Sequence, residues 1–343
     1  PIRDSVWKNA APSAASYPRR AAYRTPNLSY SFDPAIIDTI PYCSGTDVTV
    51  TVENPGAIAG NIVGLEMTVD AIGMSFVADG DTSAEIDVVL DAGTGIIPLG
   101  RELARTKRAS ELLILFSHLH HDHTQGFPFF VPAYIPNAKL HIYGPDGTHE
   151  SLKNVLEHNQ SSETFPVSLR DMSSSKDIQA VRESQVIVWD EGGVRVAESV
   201  VGVSDEAVVI RIHKSYAHPG GVFVYRITWR GKSVVYATDT EGYVGTDKRL
   251  VKFAKDADVL IHDAQYLDEH YWGQLEGLPS TQGYGHSTVT MACEVAASAQ
   301  TGQLVLFHHD PSYTDAMLAG MEAKARSLSG DAVAAHEGLE IVL

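Results

Sequence analysis

The sequence predicts an α+β fold in which two β-sheets pack face to face, with helices on the outside, as one domain. Runs typical of strands and runs typical of helices are interspersed in both halves of the chain, which suggests sheets covered by helices. Apolar runs such as 112–116 and 304–307 indicate buried strands. With 343 residues, of which 44% are hydrophobic and 20% are charged, the chain can bury a large core.

Residues 1–45 contain many Ala, Ser, Pro, Arg and Tyr residues without clear periodicity. This composition is typical of an extended arm. We therefore expect an N-terminal arm over residues 1–45 that wraps the domain or a partner subunit, and a folded domain over residues 46–343. A homodimer is one arrangement that such an arm would serve.

The first strands of the domain are predicted by alternation and by turn residues. Run 48–52 alternates Val with Thr, a period of two that indicates a strand. Strand-like runs follow at 62–69, 74–77 and 86–90. The last of them enters a glycine turn in which Asp91 is placed either to accept hydrogen bonds from the turn or to orient a histidine.

The later elements follow from apolar runs, helical periodicity and turn signals. We predict helices at 97–109, 150–159, 247–256, 287–299 and 313–328, strands at 112–117, 139–143, 259–261, 303–307 and 339–343, and hairpins that pair 186–188 with 194–201 and 222–229 with 233–238.

The densest chemical signal is a cluster of three histidines and an aspartate directly after the strand predicted at 112–117. His118, His120, Asp122 and His123 fall within six positions. On a strand, His118 and His120 would share a face because side chains alternate, and a turn would then bring the other two back. Imidazole and carboxylate ligands without a thiolate suit zinc, and also manganese or iron.

Four more candidate ligands lie at ends of predicted elements. His218 opens a His-Pro-Gly-Gly turn, Asp239 ends a strand, and His286 stands at a helix start. His308 follows the strand predicted at 303–307. If the strand ends meet at one edge of the fold, these residues join the histidine cluster. Asp263, after another buried strand, is placed to orient a ligand such as His286 or His123.

The HxHxDH element, with a later His, a strand-terminal Asp and a final His, resembles the metallo-β-lactamase fold superfamily. Within that superfamily, roughly residues 85–343 resemble the branch that contains RNase Z and the cyclic phosphodiesterases. The resemblance implies a four-layer αββα sandwich with two metal ions at one sheet edge. It implies these ligands: His118, His120 and His218 for the first zinc, Asp122, His123 and His308 for the second, and Asp239 as a bridge between them.

The same resemblance implies roles beyond metal binding. His286, in a Gly-His-Ser-Thr context, matches a histidine that assists the leaving group, and Asp91 matches an aspartate that supports the ligands from behind. We count Asp122 with His286 among the catalytic residues. His213 competes with His218 as a ligand and His309 competes with His308; the Pro-Gly-Gly turn favours His218, and the family's final strand favours His308.

These residues lead to a functional hypothesis. Two zinc ions (or manganese or iron) would share a hydroxide that attacks a small or cyclic phosphodiester. The alternative is a lactonase or thioesterase that attacks a carbonyl, and the third option is a non-catalytic, metal-stabilised interaction protein.

Charge and hydropathy bear on partners and location. The net charge is -17, and we find neither a long basic stretch nor a basic insertion of the kind that RNase Z uses to grip tRNA. We therefore expect a small-molecule phosphodiester or ester as substrate and no nucleic acid as partner. The sequence contains no apolar run of membrane-spanning length, so we expect no membrane partner and a cytoplasmic location.

Overall fold

The computed structural model describes residues 48–53, 62–63, 65–68, 71–78, 81–242, 245–336 and 339–343, with side chains from residue 87 onward except 340 and 342. The described residues all belong to one compact unit, Cys43–Leu343. The N-terminal arm expected over residues 1–45 lies outside the described residues. The division into an arm and a domain therefore stays a prediction.

Strands outnumber helices in the described part of the chain. In chain order the described strands are β1 (Val48–Glu53), β2 (Ile62–Val63), β3 (Leu65–Thr68), β4 (Ala71–Ala78), β5 (Asp81–Leu90), β6 (Glu111–Leu115), β7 (Lys139–Gly144), β8 (Ser175–Ala180), β9 (Val186–Asp190), β10 (Gly193–Ala197), β11 (Val208–Ser215), β12 (Val222–Trp229), β13 (Lys232–Ala237), β14 (Val259–Asp263), β15 (Gln303–Phe307), β16 (Ala332–Ala334) and β17 (Leu339–Val342). The described helices are α1 (Ile96–Arg105), α2 (His121–Thr124), α3 (Leu152–Asn159), α4 (Lys248–Ala254), α5 (Asp268–Tyr271), α6 (Val289–Ala299) and α7 (Asp315–Ser329).

The strands form two large sheets and a small one. One large sheet has the order β3-β4-β5-β6-β7-β8, and the other has the order β10-β9-β11-β12-β13-β14-β15-β16. Strands β5 to β8 run parallel, as do strands β13 to β16. The third sheet has the order β17-β1-β2. Both predicted hairpins are confirmed, as β9–β10 and β12–β13.

The alternation of side chains along the strands creates four layers. On β6, Leu113 and Leu115 join one core with Tyr236 and Val305 of the other large sheet. The intervening residues of β6 face outward and pack with α1 and α3. On the far side, α4, α6 and α7 cover the eight-stranded sheet. The predicted αββα sandwich is confirmed, because each large sheet buries one face on the other sheet and one face under helices.

Strands β8 and β11 were not predicted, for a reason visible in their side chains. Strand β8 has the sequence SKDIQA and is half exposed at the sheet edge. Strand β11 ends in polar residues, and its pairing with β9 and β12 sets its conformation. Tertiary pairing therefore overrides a weak local signal in β8, whereas the β-branched start of β11, residues 208–210, is a strand signal that the prediction overlooked.

The carboxyl ends of the parallel strands meet at one edge of the sandwich. Asp91 follows β5, Ser117 follows β6, Asp239 follows β13, Asp263 ends β14 and His308 follows β15. Three of them, Asp91, Asp239 and His308, have positive φ angles of 60°, 51° and 60°. Non-glycine residues rarely adopt this left-handed conformation, and when they do it is often at functional sites.

Among the described helices, none has the length and apolar character that a membrane crossing requires.

Candidate metal centre

The histidine cluster is presented by a loop and a short helix rather than by a strand. Strand β6 ends at Leu115, so the expectation that His118 and His120 share one face of a strand is wrong. His120 has extended φ and ψ angles and caps α2, whose first turn carries Asp122 and His123. Backbone Ala92 N donates to His123 O over 2.8 Å, which fixes α2 against the loop that follows β5. The four residues converge through this turn.

His118, His120 and His218 form the first of two groups of side chains that face a common point. His120 Nδ1 lies 2.9 Å from His118 Nε2 and 3.0 Å from His218 Nε2. His218 comes from the loop between β11 and β12, so the group draws on both large sheets. His118 and His218 are buried, whereas His120 is exposed and leaves the group open to solvent.

Asp122, His123 and His308 form the second group. His123 Nε2 lies 3.3 Å from Asp122 Oδ2, and His308 Nε2 lies 4.0 Å from the same oxygen. The imidazole rings of His123 and His308 stack at a centroid distance of 5.4 Å. This group also draws on both sheets, because His308 follows β15.

Asp239 lies between the two groups. Its Oδ1 is 3.7 Å from Nε2 of both His118 and His218, and 3.5 Å from His308 Nε2. Its Oδ2 is 3.3 Å from His123 Nε2. One buried carboxylate therefore faces imidazoles of both groups.

Asp91 supports the histidines from behind. Its Oδ2 accepts hydrogen bonds from His123 Nδ1 over 2.9 Å, from Ser117 Oγ over 2.7 Å and from Tyr236 Oη over 2.7 Å. Ser117 Oγ in turn accepts from His118 Nδ1 over 3.1 Å. We infer that both imidazoles carry their proton on Nδ1 and direct Nε2 into the site. Ser117 was missed by the sequence prediction, although it directly precedes the cluster.

The predicted alternatives to two of the ligands lie elsewhere. His213 Nδ1 is 2.9 Å from Glu183 Oε1, and its ring packs near Phe253. His309 belongs to none of the groups of His, Cys, Asp and Glu side chains whose ligand atoms lie close together in the described residues. The structure brings His218 and His308, rather than His213 and His309, to the centre.

His286 stands beside the two groups and is held by Asp263. His286 Nδ1 lies 2.8 Å from Asp263 Oδ2, and the ring stacks on His308 with a centroid distance of 5.1 Å. Burial disfavours the charged form of His286, but the negative charges of Asp263 and Asp239 outweigh it and raise the pKa. Asp263 therefore orients His286, whereas Asp91 orients His123.

Electrostatic interactions within the cluster distribute charge unevenly. Burial and the neighbouring His123 hold the pKa of His118 well below its usual value. Burial also opposes charge on His123, yet Asp239 and Asp91 raise the pKa of this imidazole well above its usual value. Burial likewise opposes ionisation of Asp239, but His308, His123 and His118 hold the pKa of its carboxyl group well below the usual range. An ionised carboxylate between imidazoles favours a bound cation.

The donor set fits divalent metal ions. The nitrogen and oxygen atoms within each group lie within 4.8 Å of one another. A tetrahedral zinc ion with bonds of about 2.0–2.1 Å would separate its ligand atoms by roughly 3.3 Å. His123 Nε2 is buried and makes no hydrogen bond among the described residues, although two carboxylates lie near it. A buried imidazole nitrogen without a hydrogen bond is typical of a metal ligand.

A small cavity opens beside the first group. It has a volume of about 270 Å³, and its lining includes His118, His120, Asp146, Thr148 and Glu150. Among the described residues that line it there is neither Lys nor Arg. The space directly next to His118 and His120 is therefore small, and its described lining brings no fixed positive charge.

Replacing Asp91 by Asn is expected to destabilise the protein by about 3 kcal/mol or more. An amide has one acceptor oxygen instead of two, so its NH₂ group faces either backbone Ser117 N or the buried donors of His123, Ser117 and Tyr236, and the negative charge is lost in both cases. Asn tolerates the left-handed φ of this position, so backbone strain is not added. Urea unfolding of the metal-free protein measures the change. Tyr236→Phe, which removes one donor and orphans none, is the matched control and should cost about 1 kcal/mol.

Comparison with known proteins agrees with this geometry. Residues 87–309 match the family described as Beta-lactamase superfamily domain. A Ribonuclease Z from Picrophilus torridus is 28% identical over 251 residues, which cover 66% of this chain and 77% of the relative. The metallo-beta-lactamase fold protein YhfI from Bacillus subtilis superposes with a TM-score of 0.52 at 19% identity, over 86% of this chain and 97% of that protein. The short form of human tRNase Z has a TM-score of 0.50 at 19% identity, over 85% of this chain and 96% of that protein.

The relatives overturn one expectation from the sequence. The exclusion of nucleic acid as a partner is wrong, because relatives that match about two thirds of this chain are named Ribonuclease Z. The physical reason is that net charge is a sum over the whole chain. It does not describe the field at one site, where bound cations and local side chains decide which anions approach.

Proposed function

Because this chain belongs to the beta-lactamase superfamily and is a metal-dependent hydrolase, we propose that it hydrolyses a small or cyclic phosphodiester with the help of two divalent ions. The observation that carries the proposal is the position of Asp239 between two groups of imidazole and carboxylate donors. A single carboxylate that faces both groups suits a pair of ions rather than one.

The proposed ligands follow from the two groups. The first ion would be held by His118, His120 and His218, the second by Asp122, His123 and His308, and Asp239 would bridge them. Zinc suits this set best, and manganese or iron would also fit. When bound, such ions lower the pKa of water and neutralise charge on phosphate oxygens.

His286 would supply the proton that the reaction needs. As the P–O bond to the alcohol breaks, the electron pair stays on the leaving oxygen, which must then be protonated. Asp263 accepts the Nδ1 proton of His286 and raises its pKa, so Nε2 is the nitrogen available to donate. A proton donor at this position would let the centre expel a strongly basic alkoxide as well as an activated leaving group.

The small size of the substrate is supported by the cavity beside His118 and His120. Its volume of about 270 Å³ is below the range of roughly 300–1,000 Å³ that is usual for drug-sized ligands. The described residues of its lining include no Lys or Arg that would bind a second phosphate. A diester with one phosphate and a compact alcohol fits these two observations.

RNA is a second candidate substrate, and a specific observation favours it. The relative from Picrophilus torridus, which matches 66% of this chain, is a Ribonuclease Z. His120, which lines the cavity, is exposed, so the first group is open to solvent on that side. An RNA end would approach from that open side.

One set of assays on a single preparation separates these functions. The protein is given bis(p-nitrophenyl) phosphate, a cyclic phosphodiester, an RNA with a 3′ extension and a panel of lactones, and its metal content is measured. We expect about two equivalents of metal, with clear turnover of the small diesters that chelation abolishes. Faster turnover of RNA would assign the second candidate, and turnover of lactones alone would overturn both.

A further inference from the structure

Glu241 lies two residues after Asp239, on the turn that follows β13, and both oxygens of its carboxylate accept hydrogen bonds. Oε1 accepts hydrogen bonds from Tyr271 Oη over 2.6 Å and from backbone Gly283 N over 2.7 Å. Oε2 accepts from backbone Gly285 N over 3.0 Å. Three donors from a distant segment of the chain therefore converge on one side chain, for which the sequence predicted no role.

The segment that Glu241 holds packs directly on a predicted metal ligand. Gly285 O accepts a hydrogen bond from His218 Nδ1 over 3.1 Å. A Cβ atom at Gly285 would lie only 2.4 Å from His218 Nδ1 and 2.8 Å from Pro219 Cδ, and the φ angle of Gly285 is +93°. Only glycine fits at this position, because any side chain would push the backbone off the imidazole.

We propose that Glu241 is a positioning residue that fixes the tautomer and orientation of His218 through the backbone of Gly285. Glu241 holds the Gly285 amide, and the carbonyl of the same residue takes the Nδ1 proton of His218. His218 Nε2 is thereby left to face His120 and Asp239. The inference rests on the proposed metal site, but not on the identity of the substrate.

The turn that carries Glu241 also contacts the residues around His286, the proposed proton donor. Thr240 O accepts a hydrogen bond from Ser287 Oγ, and Ser287 N donates to Asp263 Oδ1 over 2.8 Å. Residues on both sides of His286 are thus held by the turn that follows Asp239. A movement of Glu241 would reach His218 directly through the backbone of Gly285, whereas His123 of the second group is held from behind by Asp91.

The test is zinc binding to the purified, metal-freed chain, followed by competition with a chromophoric chelator. Glu241→Gln replaces one acceptor oxygen with an NH₂ group and leaves either Gly285 N or the pair Tyr271 and Gly283 without its acceptor. We expect one of two zinc sites to weaken about tenfold or more, while the other changes by less than about threefold. Glu241→Asp, which keeps both oxygens, should recover part of the lost affinity.

Ser280→Ala is the matched control, because it removes the hydrogen bonds that Ser280 Oγ donates to Tyr271 O and accepts from Gln282 N in the same segment, and neither of them involves Gly285. It should bind two zinc ions like the parent protein. Equal weakening of both sites in Glu241→Gln, or unchanged binding at both, would overturn the proposal. Because no substrate is present, a failure here is separate from a failure of the phosphodiesterase assignment.

Discussion

Asp239→Asn is expected to lower kcat for phosphodiester hydrolysis by roughly 10³-fold, the equivalent of about 4 kcal/mol. The carboxylate of Asp239 lies 3.3–3.7 Å from imidazole nitrogens of both ligand groups. An amide removes the negative charge that both ions would share and one of the two ligand oxygens, so the pair of ions is no longer bridged by a carboxylate. We expect the metal content to fall together with kcat, measured on the same preparation with bis(p-nitrophenyl) phosphate.

Asp258→Asn provides the comparison for this variant. Asp258 precedes β14 at the opposite end of the strands and accepts a hydrogen bond from Ser233 N over 2.8 Å. Its replacement should lower the melting temperature without changing kcat or metal content. An Asp239→Asn protein that kept two metal equivalents and native kcat would show that the two groups do not act as one centre.

His286→Ala is expected to lower kcat by about 10²-fold or more for a diester whose leaving group is an alkyl alcohol. The effect should be only a few-fold for bis(p-nitrophenyl) phosphate, because nitrophenolate is weakly basic and leaves without a proton. The reason is the proposed role of His286, held by Asp263 at 2.8 Å, as the proton donor. The ratio of kcat between the two leaving groups is the measurement.

His213→Ala is the matched histidine variant, since His213 bonds to Glu183 away from the centre. This substitution should leave the ratio of kcat between the substrates with alkyl and nitrophenyl leaving groups unchanged. Equal losses on both substrates in His286→Ala would mean that this ring acts through its stacking on His308 rather than by proton transfer.

Much of the fold followed from local sequence. Strands β6, β14 and β15 are apolar enough to be recognised as buried, and the hairpins β9–β10 and β12–β13 are marked by glycine turns. The convergence of the candidate ligands at one sheet edge could be predicted, because parallel strands place their carboxyl ends together. The HxHxDH spacing then identified which edge carries chemistry.

Other features required coordinates because they depend on contacts between segments far apart in the chain. Ser117 acts as a link between Asp91 and His118, and Glu241 contacts a segment more than forty residues away. Neither contact leaves a periodic or spacing signal. The choice between His213 and His218 as metal ligand also required coordinates, because it depends on which of them the connection between β11 and β12 brings to the sheet edge that carries the histidine cluster.

The side chains proposed to bind the metal ions come from both large sheets, and this affects how an ion could leave the site. His118 to His123 follow a strand of the six-stranded sheet, whereas His218, Asp239 and His308 belong to the eight-stranded sheet. A cation bound by donors of both sheets would act as a cross-link at the rim of the sandwich, where Phe223 N also donates to Ser117 O over 2.8 Å. Release of that cation would require the rim to open locally, so the rate of ion loss would be governed by this opening as well as by ligand exchange.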